Sequence, residues 1–569
     1  MTQLPGKDEE LEKSLKRMQA QLTSLGFDVQ PHSWLNPVPN VWSVHVRDSA
    51  CPQLFTNGKG KTRDAALASA LGEFFERLAT NYFFADFHLG TEMAQREFVH
   101  YPDEQWLQPG DERLLDDEPL MNFYNAEGVL ETASLTEINS AHHARGVCAL
   151  PFRRLPDDKE VLIPVNLLEN LYASNGMSAG NTPAEARVQC LSEILERSVK
   201  FHILREGSCL PDIPEEVVNL YPGIADSIKA IRDAGYTLLL KDASLNGRHP
   251  VVNVTLINPE DGSCFASFGA HPLFEVALER TVTELFQGRA LDSMKGFSVP
   301  SADHEEVASV ENLETHFIDS SGLIHWKFFH DKPDYEFVHW DFPGTTEEQY
   351  EHLVAGLQEM GYTPYLRDYE EMGFYACRMV VPGLSEIYPP EDLWYANNNN
   401  AVEVLDCLWK LPEINEFELK RLAHWLDNTQ VDDFAPMHEL AGHRPDAGSY
   451  WNHLRLGELK LWSALTNGDR PTAHDHLSWL QDIDSLPEER LRLFRCMLQM
   501  LELEATGGSI DGYETALSSL FSAETFNTAK QCLNGVLPFH GINSPQTDPF
   551  HQSLIAAYER AWQQRQQSA

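Results

Sequence analysis

The stretch GKTRDAALASALGEFFERL (residues 60–78) returns 120 residues later as GNTPAEARVQCLSEILERS (residues 180–198). Gly60, Lys61 and Thr62, followed by Ser69, Glu73, Glu76 and Arg77, match Gly180, Asn181 and Thr182, followed by Gln189, Glu193, Glu196 and Arg197. A third, looser copy follows a loop at Gly269, with Arg280, Glu284 and Gln287 in the places of Gln189, Glu193 and Glu196. Each copy reads as a glycine-containing loop leading into a helix whose polar residues recur at i, i+4 and i+7, on one helical face.

A glutamate pair at i, i+3 ordinarily belongs to a solvated helix face. Here the first helix, expected over residues 64–80, is apolar round most of its circumference through Ala65, Ala66, Leu67, Ala70, Leu71, Phe74, Phe75 and Leu78. Its Ser69–Glu73–Glu76 stripe is therefore narrow and suits a cleft better than open water. Carboxylates gathered in a cleft repel one another and need cations. Hard oxygens with few His or Cys point to Mg²⁺, which usually arrives with phosphates. Arg77, Arg197 and Arg280 supply planar forks for phosphate oxygens, and the glycine loops at helix N-termini supply backbone N–H groups. A nucleoside triphosphate with Mg²⁺ satisfies the whole set.

Composition sets the outer limits. The 569 residues hold 43 Lys and Arg against 86 Asp and Glu, a net charge of −43. An apolar fraction of 42% is ample for packed cores, so the acid excess is not that of a disordered tail. It argues against direct nucleic-acid binding, which needs a basic surface. The opening MTQLPGKDEELEKSLKRMQ is charged throughout, and no run approaches the roughly 18 apolar residues of a membrane span. The nine scattered cysteines form no CxxC pair and fit reduced thiols in a cytoplasm.

Along the chain, strand-like runs (Trp42 to Val46, Val251 to Leu256) alternate with helical ones up to about residue 400. The Pro- and Asn-rich stretch from Tyr388 to Asn400 marks a boundary, beyond which the pattern is helical. An α+β domain over residues 1–400 followed by a helical domain over 401–569 is expected. The segment from Leu454 to Leu480 reads as a helix–turn–helix unit of an atypical, tetratricopeptide-like repeat. GKGKT at 58–62 lacks the earlier glycine of a Walker loop, where Phe55 stands. The His438–His443 spacing of five misses the spacing of four that a zincin helix needs.

The stretches SWLNPVPNVWSVHVRD, TNGKGKTRDAALASALGEFFERLATNYFFADF, NLYASNGMSAGNT, CFASFGAHPLFEVALERTVTEL and NLETHFIDSSGLI closely resemble those of the YcaO family, and the resemblance runs over nearly the whole chain. It implies an α+β ATP-binding domain without a Walker loop. By matching motif it implies Mg²⁺ ligands at Glu73, Glu76, Glu193, Glu196 and Glu284. Nucleotide contacts are implied at Lys7, Ser14, Ser69, Arg77, Asn181, Glu185, Gln189, Arg197, Arg280 and Glu284, with Glu73, Glu193 and Arg197 as the catalytic groups.

The chemistry implied is activation of a peptide amide, in which ATP phosphorylates the oxyanion formed by nucleophilic attack. Azole-forming members share a proline-rich C-terminus, whereas this chain reads QQRQQSA at 563–569. Peptide cyclodehydration is accordingly the weaker alternative. The branch implied is an accessory factor for β-methylthiolation of an aspartate in small-subunit ribosomal protein twelve. Its expected partners are the radical-SAM methylthiotransferase and that ribosomal protein. An ATP-regulated scaffold that recruits them without doing chemistry is the other reading, and a homodimer is compatible with the echoing core.

Overall fold

The computed structural model describes residues 2–568, apart from 115, 129, 142, 143, 156, 484 and 485. The chain opens with helix α1 (Leu11–Ser24) and an antiparallel sheet of β1 (Val29–Val38), β2 (Val41–Asp48) and β3 (Phe55–Gly60). Helix α2 (Arg63–Ala79) follows β3 directly. A second sheet contains β4 (Gln105–Leu107), β5 (Val147–Arg154), β6 (Lys159–Pro164) and β7 (Met177–Gly180). From β7 the chain enters the 24-residue helix α3 (Pro183–Glu206). A third sheet of β8 (Thr237–Asp242), β9 (Val251–Ile257) and β10 (Cys264–Ala270) leads into α4 (Phe274–Glu284). After α5 (Thr346–Glu359), strands β11 (Tyr365–Tyr369) and β12 (Tyr375–Val380) return to the second sheet and complete the order β4-β5-β11-β12-β7, with β6 on β5.

The strands that precede the three striped helices, β3, β7 and β10, are each the edge strand of their own sheet. The helices tie these edges together in a ring. Helix α2 packs on β3 and on β7, α3 on β7 and β10, and α4 on β10 and β3. Polar links join each unit to the next. Thr80, the C-cap of α2, donates its hydroxyl to Met177 Sδ on β7 at 3.2 Å. The Ala270 N–H of β10 donates to Glu196 Oε2 of α3 at 3.2 Å, and Lys59 of β3 is ion-paired with Glu284 of α4.

The repetition extends to backbone detail. Thr62 and Thr182 cap their helices with the same conformation (φ −131°, ψ 162°), and each hydroxyl accepts from the N–H three residues on. Strand glycines let the helices lie directly on the strands. A methyl group at Gly58 would stand 2.0 Å from the Ala66 carbonyl oxygen, and one at Gly180 would stand 2.7 Å from the Ala186 nitrogen. One at Gly269 would meet the Ala277 carbonyl oxygen at 2.9 Å and the Thr281 nitrogen at 2.9 Å. Gly269, read as part of a loop, is therefore a strand residue of β10 and the counterpart of Gly58.

Beyond residue 400 the described residues form helices around a second core that includes Leu405, Leu422, Trp451 and Trp462. Among these helices are α6 (Glu416–Asn428) and the pair α7 (Leu456–Asn467) and α8 (Arg470–Trp479), which stand where the helix–turn–helix unit was expected. The last helix, α9 (Pro549–Ser568), returns to the first core. It buries Leu554, Tyr558 and Trp562 in that core, with Tyr558 against Phe84 and Trp562 stacked on Phe98, and Arg565 donates to the Leu78 carbonyl at 2.9 Å. All nine cysteines are buried free thiols, and no helix among the described residues is long and apolar enough to cross a membrane.

The glycine contacts give a paired prediction. Gly58→Ala forces backbone apart and lowers stability by about 1–3 kcal/mol or more. Gly356→Ala, inside α5 with nothing within 4 Å of the new methyl, raises it by about 0.5–1 kcal/mol. Thermal and denaturant unfolding of the two variants beside the parent protein measure both signs.

Candidate nucleotide and metal site

The ring turns the three polar stripes toward one cleft. On α2, Glu73 accepts from Arg77 at 2.6 Å. On α3, Glu193 accepts from Arg197 at 3.1 Å, and Gln189 accepts from Arg280 of α4. Each stripe thus carries its own cation, and α3 and α4 are already joined across the cleft. The Glu73, Glu193, Arg77 and Arg197 side chains are 20–26% exposed, which is open enough for a ligand and buried enough to strengthen every charge.

Glu76 shows the convergence most clearly. Burial pushes its carboxyl well above the ordinary 4.5, the Glu193 charge on the neighbouring helix pushes it further, and Arg77 and Arg197 pull it back. Glu193 is also raised by burial, with Arg197 opposing and Glu196 adding to the rise. Carboxylates from α2 and α3 therefore sense one another as like charges confined together. A cation placed among them would relieve that cost.

Among the described residues, no three His, Cys, Asp or Glu side chains are gathered closely enough to hold a metal ion. The carboxylates lean instead on Arg77, Arg197 and Lys59. This donor set fits Mg²⁺, which favours one or two carboxylates plus phosphate oxygens and water over an all-protein cage. Nε of Arg280 and Nη1 of Arg197 are buried with no protein acceptor, as donors suited to phosphate oxygens.

The N-terminal segment packs on the start of α3. Lys7 pairs with Glu185 at 3.2 Å, the Asp8 N–H donates to the same carboxylate at 2.9 Å, and Ser14 donates to Asn181 Oδ1 at 2.6 Å. Lys7, Ser14, Asn181 and Glu185 are thus one connected group, although Lys7 and Ser14 lie over 160 residues from the others in sequence. Ser69 is exposed on α2, one turn before Glu73.

Two features escaped the sequence. Lys59 is surrounded by Glu284, Glu73, Glu193, Glu196 and Arg280, and burial with Arg280 lowers its amine to about 8. The strand alternation Asn57, Lys59, Lys61 was the available signal. Residues 58 and 60 face α2, so Lys59 faces α4 and pairs with Glu284, and Lys61 just past the strand pairs with Glu279. The second is Arg17, which donates to Asn181 Oδ1 at 2.9 Å. GKGKT is accordingly β-strand through Gly60 and no phosphate loop. Of the zincin-like pair, His443 contacts Asp548 at 2.7 Å in the helical part.

A family model described as YcaO cyclodehydratase, ATP- and Mg²⁺-binding, matches residues 57–385, and the YcaO cyclodehydratase C-terminal domain matches residues 401–567. The chain belongs to the YcaO family. It is 47% identical, over 98% of both chains, to the ribosomal protein S12 methylthiotransferase accessory factor YcaO of Escherichia coli K12. It is 44% identical, over 97% of both, to a Haemophilus influenzae protein described as uncharacterized. Among solved structures it is similar to a heterocyclase in complex with substrate and cofactor (18% identity, 68% of this chain and 55% of that one, TM-score 0.45). It is also similar to the YcaO of Methanopyrus kandleri bound with AMPPCP and Mg²⁺ (18% identity, 67% and 93%, TM-score 0.40). ATP and Mg²⁺ are the ligands of the YcaO family.

The raised carboxyls fix the sign of a pH effect. A carboxyl held above its unfolded value favours the fold below about pH 4.5, and that contribution is lost as pH rises through the folded value. Glu76→Gln removes the loss. Without metal or nucleotide, the variant should unfold at a higher temperature than the parent at neutral pH, with the gap closing toward pH 4.5. Mg²⁺ with ATP should raise the parent more than the variant.

Proposed function

We propose that this chain binds ATP with Mg²⁺ in the cleft between α2, α3 and α4. It spends the nucleotide on activating a peptide amide, as the cytoplasmic accessory factor for β-methylthiolation of an aspartate in ribosomal protein S12. The observation that carries the reading is the meeting of Glu76 with Glu193 among Arg77, Arg197 and Arg280. The curated E. coli relative, similar over nearly its whole length, supports the biological setting.

Glu73, Glu76, Glu193, Glu196 and Glu284 would hold the metal, which when bound spreads the charge of the phosphate oxygens. Arg77, Arg197 and Arg280 then exchange carboxylate and amide partners for phosphate oxygens, so the cations that neutralise the free cleft also serve the nucleotide. Lys7, Ser14, Asn181 and Glu185 close over it from the N-terminal side. Glu193 sits where α2, α3 and α4 meet, and with Glu73 and Arg197 it is assigned the catalytic part. In the amide chemistry, a nucleophile adds to the carbonyl carbon and the γ-phosphoryl group moves to the resulting oxygen. That oxygen departs as phosphate when the C–O bond breaks.

The test compares the mass of the S12 target peptide in a wild-type strain, a deletion strain and strains carrying Glu193→Ala or Glu193→Gln. The expected result is unmodified peptide in all but wild type, with ATP hydrolysis by the purified variants down at least about a hundredfold. Full modification with Glu193→Gln would make the chain a scaffold, with nucleotide chemistry dispensable.

A further inference from the structure

A second concave surface lies where the chain passes from the sheets into the helical part. It is a groove of about 1020 Å³ between residues 394–404 and the C-terminal half of α6 with the loop that follows it. That volume reaches the upper end of what small-molecule sites need, in a form open to solvent. Trp394 is 44% exposed on its lining, and the ring of Trp425 forms part of its wall.

The polar lining is rich in acceptors. Glu403 and Asp432 are exposed carboxylates. Asn428 donates its amide to the His424 carbonyl at 2.6 Å, and Gln430 donates to the Asn428 carbonyl at 3.3 Å. What these two side chains offer a ligand is therefore mainly carbonyl oxygen. Arg421 also lines the groove, but its guanidinium is ion-paired with Asp406 and lies 2.7 Å from Cys407 Sγ. The net character is negative, acceptor-rich and faced with indole. A guanidinium or ammonium group matches all three properties, donating to the carboxylates and lying on the indole face.

We infer that this groove binds an extended, Arg- or Lys-bearing segment of a basic protein, with a cationic side chain on Trp394 beside Glu403 and Asp432. The open form suits a peptide, and the charge of the lining sets its sign. The inference rests on the groove alone and does not require nucleotide.

The experiment is a fluorescence-anisotropy titration of the full chain, without ATP or Mg²⁺, using a fluorescein-labelled peptide of alternating Arg and Ser. Trp394→Ala and the double variant Glu403→Gln/Asp432→Asn should each weaken binding about three- to tenfold. Glu488→Gln/Asp511→Asn removes the same charge from positions 87% and 77% exposed elsewhere on the helical part, and should change affinity less than about twofold. Unchanged unfolding temperatures show that the groove variants are folded. Wild-type affinity in the groove variants, an equal loss in the distal double variant, or no binding by the parent chain would each overturn the inference. An equal loss would mean that the peptide reads only the overall acidity.

Discussion

Everything in the cleft depends on a contact between backbones. At Gly58, Gly180 and Gly269 no side chain separates strand from helix, so α2, α3 and α4 lie directly on β3, β7 and β10. That proximity fixes the rotation of each helix. Small side chains such as Ala70, Ala186 and Thr281 point at the strand, and the polar stripe points elsewhere. Because each helix also packs on the next edge strand, three local units close into a ring with a shared interior. The last helix locks this arrangement from outside, binding the carbonyl of Leu78 at the end of α2 through Arg565.

The ring explains how a chain of net charge −43 tolerates more acid in one place. Each stripe contains its own arginine, and the seams contribute Lys59. Glu76 and Glu193 nevertheless remain raised, first by burial and then by the like charges of Glu193 and Glu196 beside them. Electrostatic cost is thereby held in reserve for a divalent ion. Among the described residues the cleft forms no finished metal cage, in keeping with a metal that brings phosphate ligands of its own.

The spacing of polar residues along α2 and α3 was legible in the sequence because helical geometry converts i, i+4 and i+7 into one face without tertiary information. The ends of α2 fall within a residue of the expected 64–80. What could not be read was the seam between units. The alternation of β3 sets Lys59 apart from the glycines that face α2, but it does not name the partner, which lies on a helix over 200 residues away. Gly269 looked like a loop residue because glycine marks turns more often than close strand–helix packing. The return of α9 to the first core was hidden for the same reason. Its apolar spacing declares a buried face without naming the partner.

The central claim is that one nucleotide and its metal join all three stripes. The most direct measurement is a crystal structure with a non-hydrolysable ATP analogue and Mn²⁺, locating the metal by anomalous scattering. The prediction is metal density coordinated by carboxylates of both α2 and α3, with Arg77, Arg197 and Arg280 turned from their present partners to phosphate oxygens. Nucleotide density outside the ring, or metal held by one helix alone while Glu193 keeps its pairing with Arg197, would contradict it.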